Sequence, residues 1–102
     1  MRTTLVAEAY NAGESVKSLM ERQHVTVGTI IDHLTKYALA GNRLRNGGEL
    51  QSLTSISPDD QQAVFAAFEE LGAEYLKPAF DRLGGRVNYD ELKILRLCYL
   101  AR

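Results

Sequence analysis

Apolar residues recur at helical spacing along most of the chain. Leu5, Val6, Ala9 and Tyr10 set the first period and predict a helix over residues 4–12 that Gly13 stops. Ser15 suits the N-cap of a short second helix with Val16, Leu19 and Met20 on its core face. Its hydroxyl would accept from first-turn N–H groups that otherwise lack partners. Gln23, His24 and Val25 make a turn. Thr26 then caps a third helix from about Val27 to Ala40, followed by Gly41 as its stop. Val27, Ile30, Ile31, Leu34 and Ala38 fall on one face of it, and Gly28, Thr29, Asp32, His33 and Lys36 on the other.

The stretch "NRLRNGGELQSLTSI", residues 42–56, changes character. Asn46-Gly47 favours a tight turn, because both residues tolerate positive φ. Two short strands around it would form a wing, and an irregular loop explains the same residues. Ser57-Pro58-Asp59-Asp60 is the sharpest local signal: a cap, a proline suited to the first helical position, and two acids at the positive end of the helix dipole. Val64, Phe65, Phe68 and Leu71 make that helix's core face, and Gly72 ends it. Leu76, Ala79, Phe80 and Leu83 form another stripe, with Pro78 in its first turn and Gly84-Gly85 beyond. Asn88 with Glu91 three residues on is a capping-box pattern, Asn replacing Ser or Thr.

A final helix runs from about Tyr89 to the end. Leu92, Leu95 and Tyr99 share one side, while Ile94, Leu97 and Cys98 lie on other sides, with Glu91, Lys93, Arg96 and Arg102 interrupting. A helix apolar nearly all round is usually buried. Leu92, Leu95 and Tyr99 are therefore expected in the core. Part of the Ile94–Leu97–Cys98 side is expected to meet a second copy of the domain, as a weak homodimer, or the rest of a longer protein. The alternative is that the N-terminal helix folds back over it.

The predicted class is all-α, with six helical segments and at most one tiny sheet. Residues 1–41 form a tri-helical unit, 42–56 a turn or wing, and 57–102 a second helical layer. Neither half has the apolar surface to stand alone, so one domain over residues 1–102 with a shared core is expected.

Composition narrows the chemistry. The chain has 102 residues, 45% hydrophobic and 25% charged, with a net charge of −1. A strongly basic nucleic-acid binder would look different. A single cysteine excludes an internal disulfide and argues against a zinc cluster, and a reducing, cytoplasmic setting is expected. No apolar run reaches the roughly 18 residues of a membrane span. The opening "MRTTLVAEAYNAGES" does not read as a signal peptide.

No nucleophile–base pair is visible. His24 and His33 sit nine residues apart, whereas metal-binding pairs on a helix sit about four apart. They read as a turn histidine and a solvated helix histidine. Cys98, in "LRLCYLAR", reads as a buried structural thiol. Asp59-Asp60 and Glu69-Glu70 read as a helix start and a solvated face. Gly47-Gly48 and Gly84-Gly85 are turns, and no glycine loop is followed by Lys-Ser or Lys-Thr to cradle phosphates. The expectation is a non-enzymatic chain without cofactor or metal.

The second and third helices have the build of a helix-turn-helix, whose second helix enters the DNA major groove by its N-terminal part. Here Thr29 and His33 can bond base edges or phosphates, Gly28 permits close approach, and Lys36 reaches the backbone. Lys17, Arg22, Arg43 and Arg45 are the supporting cations. Asp32 opposes the reading, since it repels phosphate unless it accepts from a cytosine amino group. Residues 1–50 hold six basic and five acidic side chains (+1), residues 51–102 six and eight (−2). Any nucleic-acid face therefore lies in the N-terminal half, with a weak pull that falls steeply with salt. Tri-helical units also serve as protein-docking modules, and on these grounds both readings stand.

The order of features resembles the helix-turn-helix domain at the C-terminus of bacterial RecQ-type helicases. The N-terminal "TTLVAEAYNAGESVKSLMERQHVTVGTIIDHL" carries Thr3 or Thr4 with Leu5 or Val6, then Gly13 and Ser15, then Thr29-Ile30 with His33-Leu34. The second half, "EELGAEYLKPAFDRLGGRVNYDELKILRLCYL", adds Leu76-Lys77-Pro78 and Val87-Asn88-Tyr89-Asp90-Glu91-Leu92. The resemblance covers nearly the whole chain. It implies an accessory, DNA-holding domain of an ATP-dependent helicase of DNA repair and recombination, nucleoid-associated, with DNA and the parent's other domains as partners. Motor and ATP site would lie upstream of an excised piece that begins with an added Met1. Docking on the parent or a partner is the alternative. A free-standing transcription regulator is a third reading, though neither a dimerisation element nor an effector pocket stands out.

Overall fold

The computed structural model describes residues 2–45 and 48–102. These form seven helices and no strand: α1 (Arg2–Asn11), α2 (Val16–Gln23), α3 (Val27–Leu39), α4 (Gly48–Ser52), α5 (Pro58–Leu71), α6 (Lys77–Arg82) and α7 (Tyr89–Leu100). The four side-chain caps read from the sequence are in place. Ser15 accepts from the Ser18 N–H (3.0 Å), Thr26 from Thr29 (3.4 Å), Ser57 from Asp60 (3.2 Å) and Asn88 from Glu91 (2.9 Å). Each joins residues three apart, so each forms without help from distant chain. Between α2 and α3 the turn passes through His24 at φ 56°, where a left-handed residue closes the helix and the Val25 N–H returns to Met20 O (3.1 Å).

The wing expected over residues 42–56 is not there. Asn46-Gly47, where its turn was placed, lies outside the described residues, and residues 48–52 are the helix α4. Two long-range contacts favour helix over strand. Leu50 is buried in the core with α1–α3, and the Glu49 carboxylate accepts from the Val16 N–H (2.9 Å), a first-turn donor of α2. Upstream, Leu44 is buried, while Asn11 clasps the chain from both sides. Its Nδ2 donates to Arg43 O (2.9 Å) and its Oδ1 accepts from the Arg45 N–H (2.8 Å).

Two apolar clusters make the interior. Val6, Tyr10, Leu19, Ile30 and Leu34 fill the first, where α1, α2 and α3 meet, joined by Leu97 and Ala101. Val64, Phe68, Ala79 and Val87 fill the second with Leu92 and Leu95. Helix α7 thus supplies both clusters, and Cys98 packs against each. Of the Ile94–Leu97–Cys98 side, part of which was expected to meet a separate surface, Leu97 is enclosed within the chain while Ile94 and Cys98 stay half-buried. Leu97 is 1% exposed, and α3 and α4, rather than the N-terminal helix, cover that side within the chain. Tyr99 is half-buried, its ring 5.6 Å from Phe68 and its hydroxyl donating to Glu69 (2.7 Å). Leu71, expected in the core, sits exposed in the last turn of α5, and Ala67 takes the fourth buried position.

Glu91 does only half of a capping box. Instead of returning to the Asn88 N–H, its carboxylate crosses to the hydroxyl of Thr54 and to the hydroxyl (2.8 Å) and N–H (3.2 Å) of Ser55. This ties the loop before α5 to the start of α7. Burial raises the Glu91 pKa, the donors from Thr54 and Ser55 lower it, and the lowering wins.

Two stability outcomes are expected. A carboxylate depressed on folding stabilises above its ordinary value of 4.5, and that contribution is lost as pH falls through the folded value. Glu91→Gln should therefore cost about 1–2 kcal/mol at pH 7, with the gap to wild type closing in acid urea titrations. Leu97→Ala should cost about 2–5 kcal/mol in the same assay, because it empties a fully covered position.

Candidate nucleic-acid interface

The outer strip of α3 is narrower than its sequence pattern promises. Gly28, Asp32 and Lys36 are exposed, while Thr29 and His33 are half-buried. The Thr29 hydroxyl lies 3.3 Å from Thr26 Oγ1, and His33 Nδ1 lies 2.8 Å from Thr3 Oγ1 on α1. Helix α1 therefore borders one side of the strip. Helix α7 borders the other: Val27, Gly28, Ile31 and Asp32 of α3 line a cavity of ≈290 Å³ with Asp90, Lys93 and Ile94. Asp32 thus shares a rim with Lys93, and its charge also reaches Arg96. Burial lowers the Arg96 pKa, and Asp32 opposes that shift. Lys93 of α7 offsets part of the repulsion that Asp32 would exert on a phosphate, while Asp90 on the same rim adds to it.

The supporting cations divide into two groups. Arg45 is committed to the fold. Its Nε donates to Tyr10 O (2.8 Å), its Nη2 donates to Glu14 O (3.2 Å), and the guanidinium lies 4.2 Å over the Tyr10 ring. It satisfies carbonyls at the end of α1 and in the turn after it, so Arg45, expected at a phosphate, serves as a structural clamp in this fold. Arg22 forms a two-pronged pair with Glu14 (2.7 and 3.0 Å), which also accepts from the Ser18 hydroxyl. The hydrogen bond from Arg22 is the largest influence lowering the Glu14 pKa, and Arg22 stands beside a carboxylate that a phosphate would have to compete with. Lys17, Lys36 and Arg43 are exposed and belong to no ion pair among the described residues. Arg2, which the sequence reading passed over, is exposed at the start of α1 beside Thr3. The Thr3–His33 bond that brings this end to α3 spans 30 residues, so no local pattern reveals it.

Little else on the molecule gathers chemistry. Burial pushes the Cys98 thiol up to about 11, which keeps it protonated and unreactive at neutral pH. Among the described residues no group of three or more His, Cys, Asp or Glu side chains is arranged to hold a metal ion. No described helix is long and apolar enough to cross a membrane.

A family model for a helix-turn-helix domain matches residues 3–96. Neither the curated proteins nor the solved structures yield a match.

The clamp reading of Arg45 separates it from its neighbour. Arg45→Ala should destabilise by about 1–3 kcal/mol, because it strips a charged donor from buried carbonyls. Arg43→Ala should stay within about 0.5 kcal/mol of wild type, its side chain being a surface group. Thermal melts of the two variants check this.

Proposed function

The chain belongs to the helix-turn-helix domain family, and from that premise we propose that it holds DNA mainly through backbone phosphates. One observation carries the proposal. In the second half Lys77, Arg82 and Arg86 are paired with Asp81, Glu70 and Asp60, whereas on the tri-helical unit Lys17, Lys36 and Arg43 stay outside every described ion pair. Lys93 and Arg102 of the second half are also outside these pairs, Arg102 lying over the Phe65 and Tyr99 rings. What supports the proposal is that exposed, unpaired cations stand on the helix-turn-helix itself and on the segment after it. Thr29 and His33 are engaged with neighbouring residues, which leaves few side chains for base edges. Phosphate contacts position a protein on DNA without reading sequence, so the expected task is holding and orienting.

The finer reading is an accessory domain of a RecQ-type helicase. Its support is the order of motifs from Thr3 to Leu92. On this reading catalysis, ATP and cofactors belong to other parts of the parent, and this chain contributes none. A second reading, docking on the parent or on a partner, is favoured by the apolar floor of Val27, Ile31 and Ile94 between α3 and α7.

Titrating the chain against duplex, forked and single-stranded DNA at low salt tests the proposal. Each phosphate contact contributes about −0.9 to the slope of log K against log salt on duplex, so replacing Lys17, Lys36 and Arg43 together by alanine should flatten the slope by about 2.7. Absence of binding at high micromolar protein, or binding unchanged in the triple variant, overturns it.

A further inference from the structure

The first turn of α1 and the last turns of α3 flank an open cavity of ≈480 Å³, lined by Thr3, Thr4, Lys36, Tyr37, Ala40 and Asn42. No carboxylate is among these residues. The carbonyls that end α3 would otherwise make an electron-rich wall, but three of them already accept hydrogen bonds. Lys36 O accepts from the Ala40 N–H (3.1 Å) and Ala38 O from Gly41 (3.0 Å). Tyr37 O accepts twice from Asn42, from its backbone N–H (3.3 Å) and from Nδ2 (3.1 Å). What remains is mostly donor. Lys36 offers an ammonium, Thr4 a hydroxyl, and Asn42 its second Nδ2–H. Thr3 is bonded to His33 Nδ1 (2.8 Å). The imidazole tautomer protonated at Nδ1 donates to Thr3 Oγ1 and leaves the Thr3 hydroxyl proton available to the cavity.

We infer that this cavity seats one backbone phosphate of DNA, which accepts from Thr3, Thr4 and Asn42 while Lys36 balances its charge. The chemistry is specific in two respects. A single cation matches the single charge of a phosphodiester, and neutral hydroxyl and amide donors fix its orientation, as they do in phosphate contacts generally. The inference rests on the DNA-holding reading and deepens it. The contact extends from α3 beyond the two helices of the motif to Thr3 and Thr4, so α1 becomes a second jaw, and His33 serves the site by orienting Thr3.

Thr4 is exposed, which lets Thr4→Val remove a donor without disturbing packing. Duplex binding of the full chain at low salt is measured by fluorescence anisotropy for wild type, Thr4→Val, Lys36→Ala and the double variant. Loss of one hydroxyl donor should weaken binding about threefold to tenfold. It should leave the salt slope unchanged, whereas Lys36→Ala flattens that slope by about one. If both side chains hold the same phosphate, Thr4→Val should have little further effect once Lys36 is gone. Backbone amide NMR shifts at Thr3, Thr4 and Asn42 are expected on adding duplex. Several outcomes overturn the inference. With Lys36→Ala weakened but Thr4→Val at wild-type affinity, the cavity fails and the DNA reading survives. An equal Thr4→Val penalty in both backgrounds puts the two residues on different phosphates. Shifts with inorganic phosphate alone, and none with duplex, assign the cavity to a free anion. A wild-type chain that binds no duplex removes the DNA reading and this site together.

Discussion

Helix α7 is buried on two opposite sides, and the rest of the structure depends on that. Leu97 and Ala101 complete the cluster of α1–α3, while Leu92 and Leu95 complete the cluster of α5 and α6. Fully burying a leucine contributes roughly 1.5–3 kcal/mol, so these positions join the two layers more strongly than any surface ion pair could. The consequence for α3 is direct. Its Ile31 side lies against α7, which fixes how far the helix can rotate and which residues face outward. A change in the α7 core would therefore be felt at Asp32 and Lys36, although neither touches Leu97 in sequence or in purpose.

A polar counterpart operates at the end of α1. Arg45, Asn11 and the Tyr10 carbonyl lash the segment after α3 to the first helix, and the Tyr10 hydroxyl donates back to Arg45 O (3.3 Å). These bonds use charge to close the fold. The same unit carries Lys17, Lys36 and Arg43 with no such commitment. Cations of one small unit therefore differ in commitment even where they stand two residues apart: Arg45 is bound into the fold and Arg43 is not.

What the sequence made legible was local. The caps at Ser15, Thr26, Ser57 and Asn88 join residues three apart, so type and spacing determine them. The contacts it hid connect distant segments: Glu49 to Val16, Arg45 to Tyr10, Glu91 to Thr54, and Thr3 to His33. Residues 48–52 illustrate the difference. Nothing within Gly48-Glu49-Leu50 distinguishes a short helix from a strand end, and the outcome is set by what Leu50 and Glu49 meet elsewhere. The last helix is a related case. Its apolar girth announced burial, but periodicity alone does not say which neighbour covers each side. For the interface, the helices of the helix-turn-helix and the cations Lys17, Lys36 and Arg43 could be read from the chain, though not that these three stay unpaired while Arg22 and Arg45 do not. The engagement of Arg22, Arg45 and His33 could not, because each partner lies eight or more positions away.

The geometry around α3 decides what kind of recognition is available. A recognition helix reads bases when its N-terminal face stands clear enough to enter the major groove. Here α1 holds His33 from one side, and the start of α7 borders Val27, Gly28 and Asp32 on the other. Of the cations that remain, Lys36 lies toward the C-terminal end of α3 and Arg43 in the segment after it, while Lys17 stands in the first turn of α2. A net charge of −1 is compatible with this, because screening confines electrostatic attraction to about 8 Å at physiological ionic strength. At that range a phosphate beside Lys36 responds to the charges near it, Asp32 one turn away included, so placement of charge matters more than its total.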